Sequence, residues 1–221
     1  MPRYALASHV FACLDQDCIV LLDLKQDRYF SFEAPGAPDI ENLAENDQVA
    51  ERLLERGLLI HSGDATNDRP FVAVPAPTVG LVSDRYEENP PRSMGYVSSF
   101  VRATAMAAAL LRIGSLERAV RRVRTRNARR NNPSSLFDPQ RARELVAVFT
   151  DLRPFLFTSR EACLFESLVL IEFMARYSFF PAWVFGVRAR PFAAHCWVQQ
   201  GDTVLNDTVE HVTRYTPIMT A

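Results

Sequence analysis

The chain has 221 residues, 48% of them hydrophobic and 23% charged, a globular balance that excludes a disordered polypeptide. That length holds one large domain or two modest ones. The formal net charge of −1 conceals three zones: residues 1–90 carry 7 basic and 16 acidic side chains (−9), residues 91–150 carry 12 and 3 (+9), and residues 151–221 carry 6 and 7 (−1).

The start, "MPRYALASHVFACLDQD", meets acid at Asp15 and Asp17 before any long apolar core, so it lacks the basic-then-apolar layout of a signal peptide. "YALASHVFACL" and "CIVLLDL" are rich in strand formers and are separated by the turn-like "DQD". "DRYFSF" follows as a third short strand, with Arg28, Phe30 and Phe32 on one face and Tyr29 and Ser31 on the other. Two helical patterns come next, "APDIENLAE" and "NDQVAERLLERG". In the second, Asn46 or Asp47 is the cap, Val49, Leu53 and Leu54 share a side, and Gly57 is the stop. "LLIHS" reads as a returning strand. Strands, then helices, then a strand make a small winged-helix-like layout.

Pro70, Pro75, Pro77, Pro90 and Pro91 punctuate a linker that contains one extended segment, "FVAVPAPTVGLV". Residues 1–85 are therefore read as one module with its linker, and residues 86–221 as a second domain. The second domain opens with "GYVSSFVRATAMAAALLRIG" and "SLERAVRRVRTRNARRN", consecutive helices with Gly114 between them and Ser115 capping the second. Another helix starts near Asp138 and runs through "PQRARELVAVFTDL". The apolar run "ATAMAAALL" is bracketed by Arg102 and Arg112, too short to span a bilayer, and a cytoplasmic location without a membrane span is expected. The basic run from Arg118 to Arg130 carries no interleaved aromatic platform and no recognition motif, so nucleic acid is not an expected partner. A solvated helix face accounts for it, with the acidic first zone, a membrane surface or a protein as alternatives.

The segment "TSREACLFESLVLIEFMAR" places Thr158 three residues before Glu161, the spacing of a capping box, and is then apolar nearly all round. Such a helix is a buried central one. Cys163 lies early in it, where the helix dipole favours a thiolate. Cys13, Cys18, Cys163 and Cys196 form no CxxC pair and no dense framework, so reduced thiols are expected.

Three strands follow: "PAWVFGVRA", "AAHCWVQQ" and "TVLNDT". A central helix above an antiparallel sheet brings Cys163 to face His195 and Asp207. With a three-residue turn at Gln200, Gly201 and Asp202, Gln199 pairs with Thr203 and His195 lies opposite Asp207 on one face. A two-residue turn would oppose His195 to Thr208 and send Asp207 to the other face, so the arrangement requires the odd turn or a bulge. Cys196, next to His195 on a strand, points the opposite way and cannot be that imidazole's nucleophile. Imidazole beside thiol at a helix start lowers the thiol pKa from about 8.5 to roughly 3.5–7.5, and a carboxylate fixes the imidazole tautomer. His195, Cys196, Asp207 and His211 also include metal-ligand types, but lack the close paired spacing of a zinc site, so neither a metal nor a cofactor is expected.

The order Cys, "HxW", "ND" resembles the transglutaminase-like cysteine peptidases of lasso peptide biosynthesis, the microcin-type B proteins. "CLFESLVL", "FGVRARPFAAHCWVQ" and "VLND" are similar to that family's catalytic blocks, and "ALLRIGSLERAVRRVR" to its basic helical region, over roughly residues 92–215. Cys196 stands where that family commonly has a small residue, and Gln199 where it commonly has an acid. By layout and length the first zone resembles the PqqD-like peptide recognition element that precedes the peptidase in fused members. The resemblance implies an α+β chain, a PqqD-like module followed by a papain- or transglutaminase-like peptidase with Cys163, His195 and Asp207 as its triad. It implies that a precursor's leader peptide docks as an added strand beside "DRYFSF" and against the "QVAERLLERG" helix, with Tyr29, Phe30 and Leu53 as contacts, plain core residues being the alternative for Phe30 and Leu53. The leader–core bond is then hydrolysed, and the freed core passes to a separate ATP-dependent, asparagine-synthetase-like cyclase. No upstream Gln marks an oxyanion hole, which leaves the Cys163 backbone N–H as the expected donor. Acyl transfer on the same triad, or a non-catalytic peptide carrier, are the alternative readings.

Overall fold

A computed structural model of the chain describes residues 4–33, 47–61, 74–81, 93–130, 138–155 and 163–221. The first module contains β1 (Tyr4–Leu6), β2 (Val10–Asp15), β3 (Cys18–Asp23), β4 (Arg28–Glu33), α1 (Asp47–Glu55) and β5 (Leu59–His61). "YALASHVFACL", expected as one strand, is two. The chain turns at Ala7–His9, where the Val10 N–H donates to the Ala7 carbonyl at 2.9 Å. β1 thereby pairs with β5, while β2 enters a sheet of order β2-β3-β4. The helix expected at "APDIENLAE" lies outside the described residues. α1 stops where the pattern predicts. Gly57 takes φ +68°, its N–H donates to the Leu54 carbonyl, and the Leu58 N–H donates to the Leu53 carbonyl, both at 2.8 Å.

β3 is buried along its whole length, as its unbroken apolar run requires. Ile19 and Leu21 pack with Ala50, Leu53, Leu58 and Leu59 of their own module. Val20 and Leu22 face the other way, into one continuous core with Phe100, Val123, Phe185 and Met219. Each such fully buried aliphatic contributes about 1.5–3 kcal/mol, so the two parts of the chain stabilise one another. Polar contacts reinforce the junction. Asp15 accepts the Ala189 N–H at 2.7 Å and the Thr216 hydroxyl at 2.6 Å, and the Arg124 guanidinium lies 4.7 Å from the centre of the Phe11 ring.

The remainder comprises β6 (Val79–Gly80), α2 (Met94–Arg112), α3 (Leu116–Arg130), α4 (Pro139–Leu152), a 3-10 turn at Arg153–Phe155, α5 (Cys163–Ala175), β7 (Ala182–Arg188), β8 (Ala193–Gln200), β9 (Thr203–Val204), α6 (Val209–Val212) and β10 (Thr216–Thr220). The strands form a sheet of order β10-β7-β8-β9-β6. β10 is an addition to the expected three strands; it pairs with β7 across a bulge between Pro217 and Met219. Ser93, Ser115 and Asp138 cap α2, α3 and α4 through backbone N–H groups two or three residues on. α2 runs through Arg102 and on to Arg112, so by length and composition it is long enough to cross a membrane, unlike "ATAMAAALL" taken alone. Its Phe100, Ala103 and Ala107 are buried in the core. α3 does not present its arginines uniformly to solvent. Arg126 and Arg122 pair with the buried Glu172 of α5 at 2.8 and 3.5 Å, and Arg124 donates to the Thr220 carbonyl.

The sheet has two unlike faces. Trp183, Phe185 and Val187 of β7 join Cys196 and Val198 of β8 in the core shared with α5. Val184 and Trp197 point the other way. α5 therefore lies on the face of Cys196, not on that of His195 as the sequence reading placed it. The physical reason is packing: α5 is apolar all round and buried, so it covers the face richer in large apolar side chains.

Candidate active site

Cys163 is the first described residue of α5. The predicted capping box at Thr158 and Glu161 lies outside the described residues. One turn on, the Ser167 hydroxyl donates to the Cys163 carbonyl at 2.5 Å and accepts the Trp183 Nε1–H at 2.9 Å. Ser167 Oγ is also 3.3 Å from Cys196 Sγ. A buried polar chain from Trp183 through Ser167 to Cys196 thus underlies the first turn of α5. Cys196 points away from His195, as strand parity demands, yet it points toward Cys163.

β8 and β9 are joined by the two-residue turn Gly201–Asp202, with Gln199 paired to Val204 and Gln200 to Thr203. The expected three-residue turn is not formed. A straight ladder in this register would send Asp207 to the Cys196 face. The chain instead leaves the ladder after Leu205, whose N–H still donates to the Val198 carbonyl at 2.9 Å. The next ladder bond is made by a side chain: the Val198 N–H donates to Asn206 Oδ1 at 2.8 Å. That bend turns Asp207 back beneath His195, and His195 Nε2–H donates to Asp207 Oδ2 at 2.6 Å.

The imidazole is boxed by rings. Trp197 stacks on it with centroids 6.1 Å apart and planes at 21°, and Tyr215 lies 5.2 Å away. Gly186, the cross-strand partner of His195, leaves the room: a Cβ there would lie 2.7 Å from the Trp197 ring and 2.9 Å from Tyr215 Cβ. Trp197 is fixed in turn, its Nε1–H donating to Gln199 Oε1 at 2.8 Å. Gln199 is buried and donates to the carbonyls of Pro75 and Gly201, so it ties the hairpin to the segment before β6.

With Nε2 on Asp207, Nδ1 is the His195 nitrogen left for Cys163, and the two side chains are coupled by a hydrogen bond. The Cys163 thiol is lowered to about 4. The hydrogen bond from Cys196 lowers it most, burial opposes, and His195 adds its hydrogen bond and charge. Burial works against the His195 imidazolium, but hydrogen bonds to Asp207 and Cys163 outweigh it and raise the group to about 9. Burial likewise opposes the Asp207 carboxylate, yet His195, His211 and the Thr208 N–H hold it below the usual range. Cys196 is pushed up, first by burial and then by the neighbouring Cys163, so it stays a thiol and a donor. Together the groups favour a thiolate facing an imidazolium, the arrangement needed for nucleophilic attack on a carbonyl carbon.

His211 completes the cluster, its Nδ1 2.9 Å from Asp207 Oδ2 and 3.1 Å from Oδ1. From the sequence alone it counts only as a metal-ligand type. Its signal was the four-residue spacing from Asp207, with Thr208 capping the short helix between them through the His211 N–H. His195, Asp207 and His211 bring ligand-type atoms within 4.8 Å of one another, while Cys196 lies on the other face.

The leader-contact candidates separate. Leu53 is 2% exposed in the core of the first module, and Phe30 is half-buried on the same side with the Arg56 guanidinium 5.7 Å from its ring centre. Tyr29 points the other way and packs on Phe192 at 5.6 Å, three residues before His195. Burial, then the nearby Cys196, Asp27 and Cys163, push its hydroxyl up. β4 is an outer strand of its sheet among the described residues, and Arg190, in the turn between β7 and β8, pairs with its Glu33 at 2.7 Å.

A family model described as the transglutaminase-like superfamily matches residues 101–220, from within α2 to the end of β10. No curated protein and no solved structure matches the chain.

Proposed function

The chain belongs to the transglutaminase-like superfamily, and from that premise we propose that it is a cysteine peptidase that removes the leader from a ribosomally made precursor in lasso peptide maturation. The observation that carries the reading is the Cys163–His195–Asp207 constellation, with its 2.6 Å imidazole–carboxylate bond and a Cys163 thiol lowered to about 4. In this reading the Cys163 thiolate attacks the carbonyl carbon of the leader–core bond. The Cys163 N–H donates to the developing oxyanion. His195 gives its Nδ1 proton to the departing core amine, leaving a leader thioester on Cys163. Water then attacks the thioester, His195 takes the proton back, and the leader leaves with a new carboxylate. Asp207 keeps the ring in the tautomer that both steps use.

The first module supplies recognition as a PqqD-like element. A leader added as a strand along β4 gains main-chain hydrogen bonds there. The Tyr29–Phe192 and Glu33–Arg190 contacts place that strand beside the turn leading into β8, which supports delivery of the following core segment to Cys163. The freed core amine then goes to a separate ATP-dependent, asparagine-synthetase-like cyclase, in the cytoplasm.

The test is mass spectrometry of a candidate precursor incubated with the full chain in H₂¹⁸O, with and without an added primary amine. Hydrolysis places ¹⁸O in the new leader carboxylate; an amine adduct without ¹⁸O would establish acyl transfer instead. An intact precursor together with inert thiols would establish a carrier. Hydrogen exchange should slow at residues 28–33 when leader is added, and unchanged exchange there would remove the docking role from β4.

A further inference from the structure

Asp207 does more than face one imidazole. Oδ2 accepts from His195 at 2.6 Å and from His211 at 2.9 Å, while Oδ1 accepts the Thr208 N–H at 2.7 Å and lies 3.1 Å from His211 Nδ1. His211 thus spans both oxygens. Besides the bond to His195 itself, the Thr208 N–H holds the carboxylate by Oδ1 alone. A donor bridging both oxygens adds a further fixed point and sets where Oδ2 sits.

The structure holds His211 itself in place. Its own N–H donates to Thr208 Oγ1 at 3.2 Å, and Tyr215 packs edge-on against its ring at 5.5 Å and 88°. Arg188 lies 5.8 Å from the centre of that Tyr215 ring, and the two imidazoles are 4.7 Å apart. Among the described residues, the charged and titratable groups around the ring are therefore Asp207, His195, Tyr215, Arg188 and its chain neighbour Glu210.

We propose that His211 is a positioning residue for the candidate dyad: by bridging both oxygens of Asp207 it fixes the carboxylate that orients His195 toward Cys163. This rests on the triad reading above but not on the identity of the substrate. Because Asp207 is ionised, His211 must donate from Nδ1, which fixes it as the Nδ1–H tautomer and leaves Nε2 on the half-exposed side of the ring.

The experiment follows the rate of Cys163 alkylation by iodoacetamide across pH in the full chain, beside precursor cleavage, for His211→Phe and His211→Asn. Phe keeps a ring against Tyr215 and lacks the donor. Asn places its Nδ2–H₂ near the position of Nδ1. His211→Phe should slow alkylation at neutral pH on the order of 10-fold, move its acid limb to higher pH, and lower kcat with little change in KM. His211→Asn should restore most of both. A wild-type profile for His211→Phe, or His211→Asn behaving like it, overturns the proposal. Should His211→Phe fail to fold, ¹⁵N spectra of the unsubstituted protein at pH 8 decide: an Nε2–H tautomer at His211 overturns the assignment, and Nδ1–H sustains it. If the protein cleaves no precursor but its alkylation still depends on His211, the peptidase reading falls and this one stands.

Discussion

The two faces of β8 make opposite use of neighbouring residues. On one, His195 and Trp197 stand among Tyr215, Asp207 and His211, a partly solvated cluster in which every ring or carboxylate has a named partner. On the other, Cys196 and Val198 are sealed beneath α5 in the main core. Cys163 sits where both faces reach it, taking a hydrogen bond from Cys196 on the dry side and meeting the imidazole from the wet side. Strand parity thus separates the two residues without deciding which of them the helix covers. In the proposed mechanism one face supplies proton transfer, and the other supplies a buried donor that steadies charge on sulfur.

Removing the sulfur that both faces share has the largest expected effect. Cys163→Ala should abolish cleavage while leaving the melting temperature and leader binding nearly unchanged, whereas Cys196→Ala should stay active, only slower. A dead Cys196→Ala beside an active Cys163→Ala would reverse the assignment of the faces. Next in size is Asp207→Asn, which acts only on the wet face. It should cost roughly 100-fold or more in kcat, with KM little altered because the leader is not touched. A KM effect that dominates would place Asp207 in substrate binding.

The pH dependence separates the two contributions. Cys163 is a thiolate above about 4, and His195 is an imidazolium below about 9. Alkylation, which needs only the thiolate, should fall on the acid side alone. Precursor cleavage, which also needs the proton on His195, should fall on both sides. A cleavage rate still rising above pH 9 would remove His195 as the acid. The smallest effect belongs to the dry face. Cys196→Ala should move the acid limb of alkylation to higher pH and slow cleavage roughly 2- to 10-fold, the worth of one hydrogen bond. An unmoved limb would show that the buried thiol only fills space.

Much of this was legible in the residues because it depends on local rules. The unbroken apolar run of β3, the Gly57 stop of α1, the Ser115 cap, the start of α4 near Asp138 and the all-apolar helix that carries Cys163 each follow from a few adjacent side chains. What was not legible depends on the rest of the chain. The break at Ala7–His9 exists because β1 finds β5 more than fifty residues later. β10 carries a proline and a bulge, and it pairs with β7 rather than with a sequence neighbour. The pattern suggests a three-residue turn after Gln199, but Gly201 adopts φ +57° and closes the turn in two residues after Gln200. The covered face of the sheet depended on summed apolar area across two strands. His211 was missed because a four-residue helix is too short to show a period.

The Asn206 amide on the Val198 N–H also bears on how such sites can be found in other chains. A hairpin can bring its carboxylate under its imidazole either with an odd turn and a straight ladder or with an even turn and a bend, so the count of residues from His to Asp is a poor search criterion. In the second solution a backbone acceptor is lost, and a short amide side chain one residue before the acid takes its place. The dipeptide Asn206–Asp207 is then a single device, half of it repairing the ladder and half of it aiming the carboxylate. A search that allows turn length to vary but asks for a short acceptor before the acid would retrieve hairpins of the bent kind that fixed-spacing patterns discard.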